Sequence, residues 1–201
     1  MHAGGKMAEI KKQVWKPGTM LNPVPVVMVS CKGADGSTNI MTAAWTGVAC
    51  SEPPMVYVSI RPERHSHKMI KETGEFVLNL TTEELVPHTD YCGVKSGAKT
   101  DKWKDTGLTK GKADKVEAPL INESPVNIEC KVRQILELGS HDMFIGEVVA
   151  VDVDEKYMDE NGKFDLDACK LVAYSHGEYI SLAEVLGTYG YTVRKESPYK
   201  F

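Results

Sequence analysis

Apolar residues fall on every second position across the stretch Val126, Ile128, Cys130 and Val132, with Asn127, Glu129, Lys131 and Arg133 between them. A period of two marks a strand with one buried and one wet face. The phase slips where Ile135 and Leu136 stand side by side, which predicts a bulge near Gln134 in a strand running Val126–Leu138. Gly139-Ser140-His141-Asp142 then turns the chain into a second long strand, Met143–Val153. Further strands are predicted at Val24–Cys31, closed by the turn Gly33–Gly36, and at Asn39–Ala44, Met55–Ile60 and Phe76–Leu80. Helical signals are fewer. Ser66–Thr73 reads as a short helix with Ser66 as cap, Met69 and Ile70 facing inward and Gly74 as its stop. Thr81-Thr82-Glu83-Glu84 has the form of a capping box opening another helix. Lys95–Lys115, rich in glycine and lysine, reads as a surface excursion with one short helix around Trp103.

Many strands, few helices and no βαβ alternation indicate a closed or partly closed β architecture. No GxGxxG follows a strand and no GxxxxGK[ST] occurs, so neither a Rossmann nucleotide site nor a P-loop is supported. The 201 residues suit a single domain spanning the chain, with residues 1–12 expected to lie outside its folded part.

A net charge of −4 gives no general attraction for nucleic acid or an anionic membrane, so any phosphate site must be local. No apolar run reaches the ~20 residues of a membrane span, and no apolar stretch follows Lys6, Lys11 and Lys12 as a signal peptide requires, so a cytoplasmic protein is expected. Five cysteines, an odd number without a CxxC pair, argue against a disulfide framework and a zinc site. Asp159-Glu160-Asn161-Gly162 places its glycine too early for a calcium loop, and no metal is expected.

Candidate chemistry concentrates between Asn39 and His67. Met41-Thr42-Ala43-Ala44-Trp45 sets small side chains before a large aromatic: a flat ligand could approach the backbone N–H groups of Ala43 and Ala44 and be walled in by Trp45. After the strand ending Ser59-Ile60 comes Arg61-Pro62-Glu63-Arg64-His65-Ser66-His67, a basic turn entering a helix. Arg61 and Arg64 offer charge, Ser66 a hydroxyl, and His65 and His67 ring donors, a set suited to a phosphate monoester. A flat aromatic ligand carrying a phosphate describes flavin mononucleotide (FMN). The same residues also fit a strand end packed around a core tryptophan and a solvated basic turn.

The segment Asn39–Ile60 resembles the flavin reductase-like, FMN-binding split-barrel family, especially its flavoredoxin branch. Gly74–Asn79, Asp90-Tyr91-Cys92-Gly93, Ala118-Pro119-Leu120 and Leu138–Val148 agree in the same order. The resemblance implies a mainly β fold, a Greek-key split β-barrel with a few short peripheral helices, dimerising with FMN near the subunit interface. It implies an oxidoreductase that passes electrons from NAD(P)H through flavin to an acceptor, or an FMN electron carrier reduced by a partner protein. Carried onto this chain, the FMN contacts would be Thr42, Ala43, Ala44, Trp45, Ser59, Arg61, Arg64, His65, Ser66 and His67. Relatives often carry an aromatic residue in place of His65. Lys102, after Asp101 and before Trp103, would put a cation near the ring edge. His141 would sit close to the flavin and an incoming nicotinamide, orienting either. An aromatic tail, Tyr174, Tyr179, Tyr189, Tyr191, Tyr199 and Phe201, fits the expected homodimer.

Overall fold

The computed structural model describes residues 10–195; Tyr199, Phe201 and residues 1–9 lie outside them. In chain order the strands and α-helices are β1 (Val24–Pro25), β2 (Val27–Lys32), β3 (Thr38–Ala43), β4 (Thr46–Ser51), β5 (Pro54–Ile60), α1 (His65–Thr73), β6 (Glu75–Leu80), α2 (Val86–Val94), α3 (Lys102–Thr106), β7 (Lys110–Gly111), β8 (Leu120–Ile121), β9 (Val126–Glu137), β10 (Asp142–Val153), β11 (Val172–Ser175) and β12 (Glu178–Ser181). Residues 10–12 are exposed and irregular.

Seven strands form one antiparallel sheet in the order β3-β2-β6-β9-β10-β5-β4. Its two end strands, β3 and β4, are neighbours in sequence, joined only by Ala44 and Trp45. Three Cα–Cα steps of 3.80 Å cover at most ~11 Å. The ends of the sheet must therefore come within that distance, and the sheet curls into a barrel that stays unpaired at one seam. This is a split barrel, and Ala44-Trp45 is the bridge across the split.

Inside the barrel pack Val29, Val58, Ile70, Phe76, Cys130 and Phe144, all fully buried. Gly146 of β10 permits this packing, because a Cβ there would stand 2.8 Å from the Phe76 ring. The predicted bulge is present: Ile145 faces Gln134 while Gly146 faces Val132, leaving Arg133 extra. A second apolar layer outside β2 and β3, with Met28, Ile40, Leu85, Cys92, Trp103 and Ile121, seats α2 and α3.

Several expectations change. The strand Val24–Cys31 is broken at Val26: β1 leaves for a small sheet, β1-β11-β12, and β2 joins the barrel. Pro25, without an N–H, is tolerated at that sheet's edge. Strand β4 has no counterpart among the predicted elements; it is an edge strand, mostly exposed, and shows no clean alternation. Ser66 does not cap α1: Arg64 holds the N-cap position without a side-chain bond, while Gly74 ends the helix in the left-handed conformation as expected. The capping box at Thr81–Glu84 shrinks to one turn, in which Thr82 Oγ1 accepts the Leu85 N–H at 3.3 Å, and α2 starts afterwards with no side-chain cap. The excursion Lys95–Lys115 does carry α3 around Trp103, yet it buries both Lys102 and Trp103.

Asn127 and Glu129, assigned to a wet face, are also buried. The chain after α3 folds over them. Glu129 accepts the amide N–H groups of Asp114, Lys115 and Val116 at 2.7, 2.7 and 3.0 Å. Asn79 donates to Met28 O and Ser30 Oγ and accepts from Ile121 N and Asn127 Nδ2. Alternation shows which residues share a face, and here both faces are covered.

Candidate functional site

A cavity of about 390 Å³ opens at the barrel seam. Met41 to Trp45 form one wall, and Ser59, Ile60 and Arg61 at the end of β5 form another. The Ser59 N–H donates to Trp45 O at 2.8 Å and pins the bridge to β5. Thr42 donates its hydroxyl proton to Thr89 O of α2, which ties this wall of the cavity to that helix. Trp45 stands on the rim at 36% exposure.

A second cavity, about 340 Å³, continues from the first and shares Met41, Arg61 and Arg64 with it. Its lining is charge-unbalanced. Arg61, Arg64, Lys95, Lys102 and His65 face one carboxylate, Glu63, whose oxygen lies 3.6 Å from Arg61. Arg64 donates to Gly93 O at 3.0 Å, which ties the turn to the end of α2. Ser66 is buried and its Oγ accepts from Asn39 Nδ2 at 2.8 Å. Gly97 closes over Asn39 so tightly that a Cβ would come within 2.1 Å of the amide oxygen.

Lys102 is the buried cation of this cavity, 3% exposed. Its Nζ donates to Ile40 O and Cys92 O, both at 2.7 Å. An ammonium has three protons to donate, so this accounts for two. Burial lowers the Lys102 pKa. An anion beside it would oppose that shift.

Of the residues singled out in the sequence, Thr42, Ala43, Ala44, Trp45, Ser59, Arg61, Arg64 and His141 line the first cavity. Arg61, Arg64, His65, Ser66 and Lys102 line the second. Lys102 thus belongs to the basic end and not to the wall beside Trp45, because α3 packs under the α2–β3 layer. His67 lines neither cavity. Its Nε2 bonds Asp142 Oδ2 at 2.8 Å, and its ring meets Phe144 edge-on with centroids 5.2 Å apart. One step of about 100° along a helix separates its direction from that of Ser66, enough to turn it into the barrel end.

His141 sits on the β9–β10 turn, with Nδ1 2.9 Å from Ser140 Oγ. Burial first, and then the Arg61 guanidinium, lower its pKa, which keeps the imidazole neutral at pH 7. The sequence reading missed Tyr174 and Tyr179 as cavity residues, having placed them in an aromatic tail for subunit contact. They lie edge-to-face, 5.8 Å apart, in the first cavity's wall. Tyr179 donates to Asp90 at 3.2 Å, and desolvation, followed by Asp90, pushes its pKa up to about 12. Burial pushes the Cys31 and Cys92 thiols up to about 11 and Cys130 to about 12, which leaves them poor nucleophiles at neutral pH. Among the described residues no cluster of three or more His, Cys, Asp or Glu could hold a metal ion, and no helix is long and apolar enough to cross a membrane.

The flavin reductase like domain matches residues 19–183. The chain belongs to the flavin reductase-like family. Flavoredoxin of Desulfovibrio vulgaris (Miyazaki F) superposes on it with a TM-score of 0.85 at 33% identity, covering 92% of this chain and all of that one (100%). An uncharacterized protein of Pyrococcus abyssi is 34% identical over 165 residues, 82% of this chain and 94% of its own length. A ferric-chelate reductase (NAD(P)H) of Archaeoglobus fulgidus is 28% identical over 104 residues, 51% of this chain and 60% of its own length. In this flavin reductase-like chain the two joined cavities lie at the seam, the second lined by Arg61, Arg64, His65, Lys95 and Lys102.

Proposed function

We propose that this protein binds FMN across the two cavities and acts as an NAD(P)H-dependent flavin or ferric reductase. One observation carries the reading. A slot lined by Met41, Ala43, Ala44 and Ile60 and edged by Trp45 and two tyrosines runs directly into a cradle whose cations outnumber its single carboxylate. A flat tricyclic ring suits the first and a phosphate monoester the second. The donor set fits the group: Arg61, Arg64, His65 and Lys102 would hold the phosphate, and Ala43 and Ala44 would allow close approach of the ring to the backbone. When bound, the flavin would supply the redox chemistry, taking a hydride from NAD(P)H and passing electrons to an acceptor. The chain's own part is to bind, orient and partly exclude water. His141, neutral and on the cavity rim, would orient the ring or the nicotinamide by a hydrogen bond.

We also infer a homodimer. Val48 of edge strand β4 is 77% exposed, and Leu186 and Tyr189 are 92% and 105% exposed, apolar surface that a second subunit would cover. Light scattering should give twice the chain mass, and a monomer that binds FMN fully would contradict an interface site.

The test of the function is direct. Purified protein should take up FMN stoichiometrically, and anaerobic NADH or NADPH should bleach the flavin band without a partner protein. His141→Ala should slow that bleaching with FMN affinity intact. No bleaching with either nucleotide, together with rapid reduction by a reduced ferredoxin-like protein, would assign the protein to electron carriage instead.

A further inference from the structure

Helix α1 carries a buried ionisable pair that belongs to neither cavity. The first residues of the helix, His65 and Ser66, line the second cavity. His67 turns away from it, and its Nε2 bonds Asp142 Oδ2 at 2.8 Å, with His67 7% and Asp142 6% exposed. A carboxylate only accepts, so the ring nitrogen donates. Asp142 opens β10 directly after His141, which lines the first cavity. Successive residues of a strand point to opposite faces, which lets Asp142 meet α1 while its neighbour stands at the seam. The next turn of α1 reaches the other arm of the hairpin. Lys71 Nζ, four residues on from His67, lies 3.6 Å from Glu137 at the end of β9, and Glu137 is the cross-strand partner of Asp142. Helix α1 thus grips the last rung of the β9–β10 ladder at both ends. Beyond that rung Leu138, Gly139 and Ser140 are exposed, and the Leu138 N–H donates to His141 O at 3.0 Å.

We propose that His67 and Asp142 are positioning residues for His141: their bond anchors the β9–β10 turn to α1 and so holds the His141 imidazole on the rim of the ring cavity. Of the two ties from α1, the Lys71–Glu137 pair is exposed, and such pairs contribute little. The buried bond carries the anchoring. Stability alone does not account for it, because a well-packed apolar pair would hold a strand end about as well as a buried ionisable one. A hydrogen bond adds direction, which an apolar contact lacks, and a group that must orient a ring or a nicotinamide needs its direction fixed. The consequence for catalysis rests on the flavin reading of the first two cavities; the anchoring itself does not.

The first test is independent of turnover and follows the His141 ring by NMR titration of the full chain, its signals assigned by their loss in His141→Ala. In the unsubstituted protein burial and then Arg61 hold the His141 midpoint below 6.5, with Glu63 opposing them. The double variant His67→Leu, Asp142→Val removes the pair without leaving a buried charge. The released turn should let the ring escape burial and Arg61, so the midpoint should rise toward 6.5. Loss of the Asp142 charge alone would push it the other way. Asp142→Asn, whose amide oxygen still accepts the His67 N–H, should keep the midpoint of the unsubstituted protein. Should the double variant not fold, Asp142→Ala breaks the same bond and the same rise is expected. The second test is anaerobic reduction of the FMN-loaded protein by NADH or NADPH. The double variant should slow it about fivefold or more with FMN affinity within about twofold. In a His141→Ala background the same pair of changes should alter the rate less than about twofold, since the pair acts through His141. An unchanged or lowered midpoint would overturn the proposal, as would an equal slowing in the His141→Ala background. Absence of reduction in the unsubstituted protein would strike the reductase reading, and the midpoint alone would then decide for or against the anchoring.

Discussion

Two regions of this barrel are crowded with charged and polar side chains, and they treat them in opposite ways. Around Glu129 a fully buried carboxylate is answered by three backbone N–H groups, and nearby Asn79 has partners for both its donor and its acceptor. Around Arg64 the donors outnumber the acceptors: several cations face the lone Glu63, and buried Lys102 has only two backbone carbonyls. Folding alone explains the first region, because burial without partners is costly. It does not explain the second, where charge of one sign is gathered against its own repulsion. Glu129 and Asn79 are answered within the fold, whereas the cations around Arg64 are the ones the proposed phosphate would answer.

The largest effect that sharpens this contrast should come from Glu129→Gln. It removes the charge and one acceptor from three buried amides and should cost about 3 kcal/mol of stability, read as a fall in denaturant midpoint. The FMN affinity of the folded protein should not change. A midpoint near that of the unsubstituted protein would mean the cage is dispensable.

Next is Arg64→Ala, which should weaken FMN by about 1.5–3 kcal/mol as a charge-assisted bond is lost. Riboflavin, which lacks the phosphate, should be nearly indifferent. Equal losses for both ligands would mean that Arg64 acts through its bond to Gly93 O and the local fold.

The smallest effect concerns Asp152, next to the Glu129 cage. One of its oxygens is buried with no donor in reach. Desolvation, then Glu129, raises its pKa from 3.8 to about 6. The folded protein thus holds this proton more tightly than the unfolded chain. The stability it contributes is fully present below pH 3.8 and is lost as pH rises through about 6. Melting curves should show a decline over that window that Asp152→Asn removes. An identical pH profile in the variant would place the titration elsewhere.

The strands of the barrel could be read from the sequence because a half-buried strand writes its face into alternate residues, as β9 does, and even its bulge showed as a slipped phase. Strand β4 could not, since an exposed edge imposes no alternation. The turn Arg61–His65 and the bridge Ala43–Trp45 were visible as residue types with a purpose. The fate of His67 was not: its partner Asp142 lies 75 positions away and only the fold brings them together. Tyr174 and Tyr179 escaped for the same reason, reaching the seam cavity through a separate small sheet. Lys102 stood out as a cation, but its burial did not, because sequence does not reveal how α2 and α3 pack on β3.

The claim at the centre of this account is that the unbalanced cradle exists for a phosphate. The most direct measurement compares the dissociation constants of FMN and riboflavin for the unsubstituted protein, at low salt and at 1 M salt. FMN should bind at least about thirtyfold more tightly at low salt, a difference of about 2 kcal/mol, and the gap should narrow as salt screens the exposed arginines. Equal affinities for the two flavins at low salt would contradict the account.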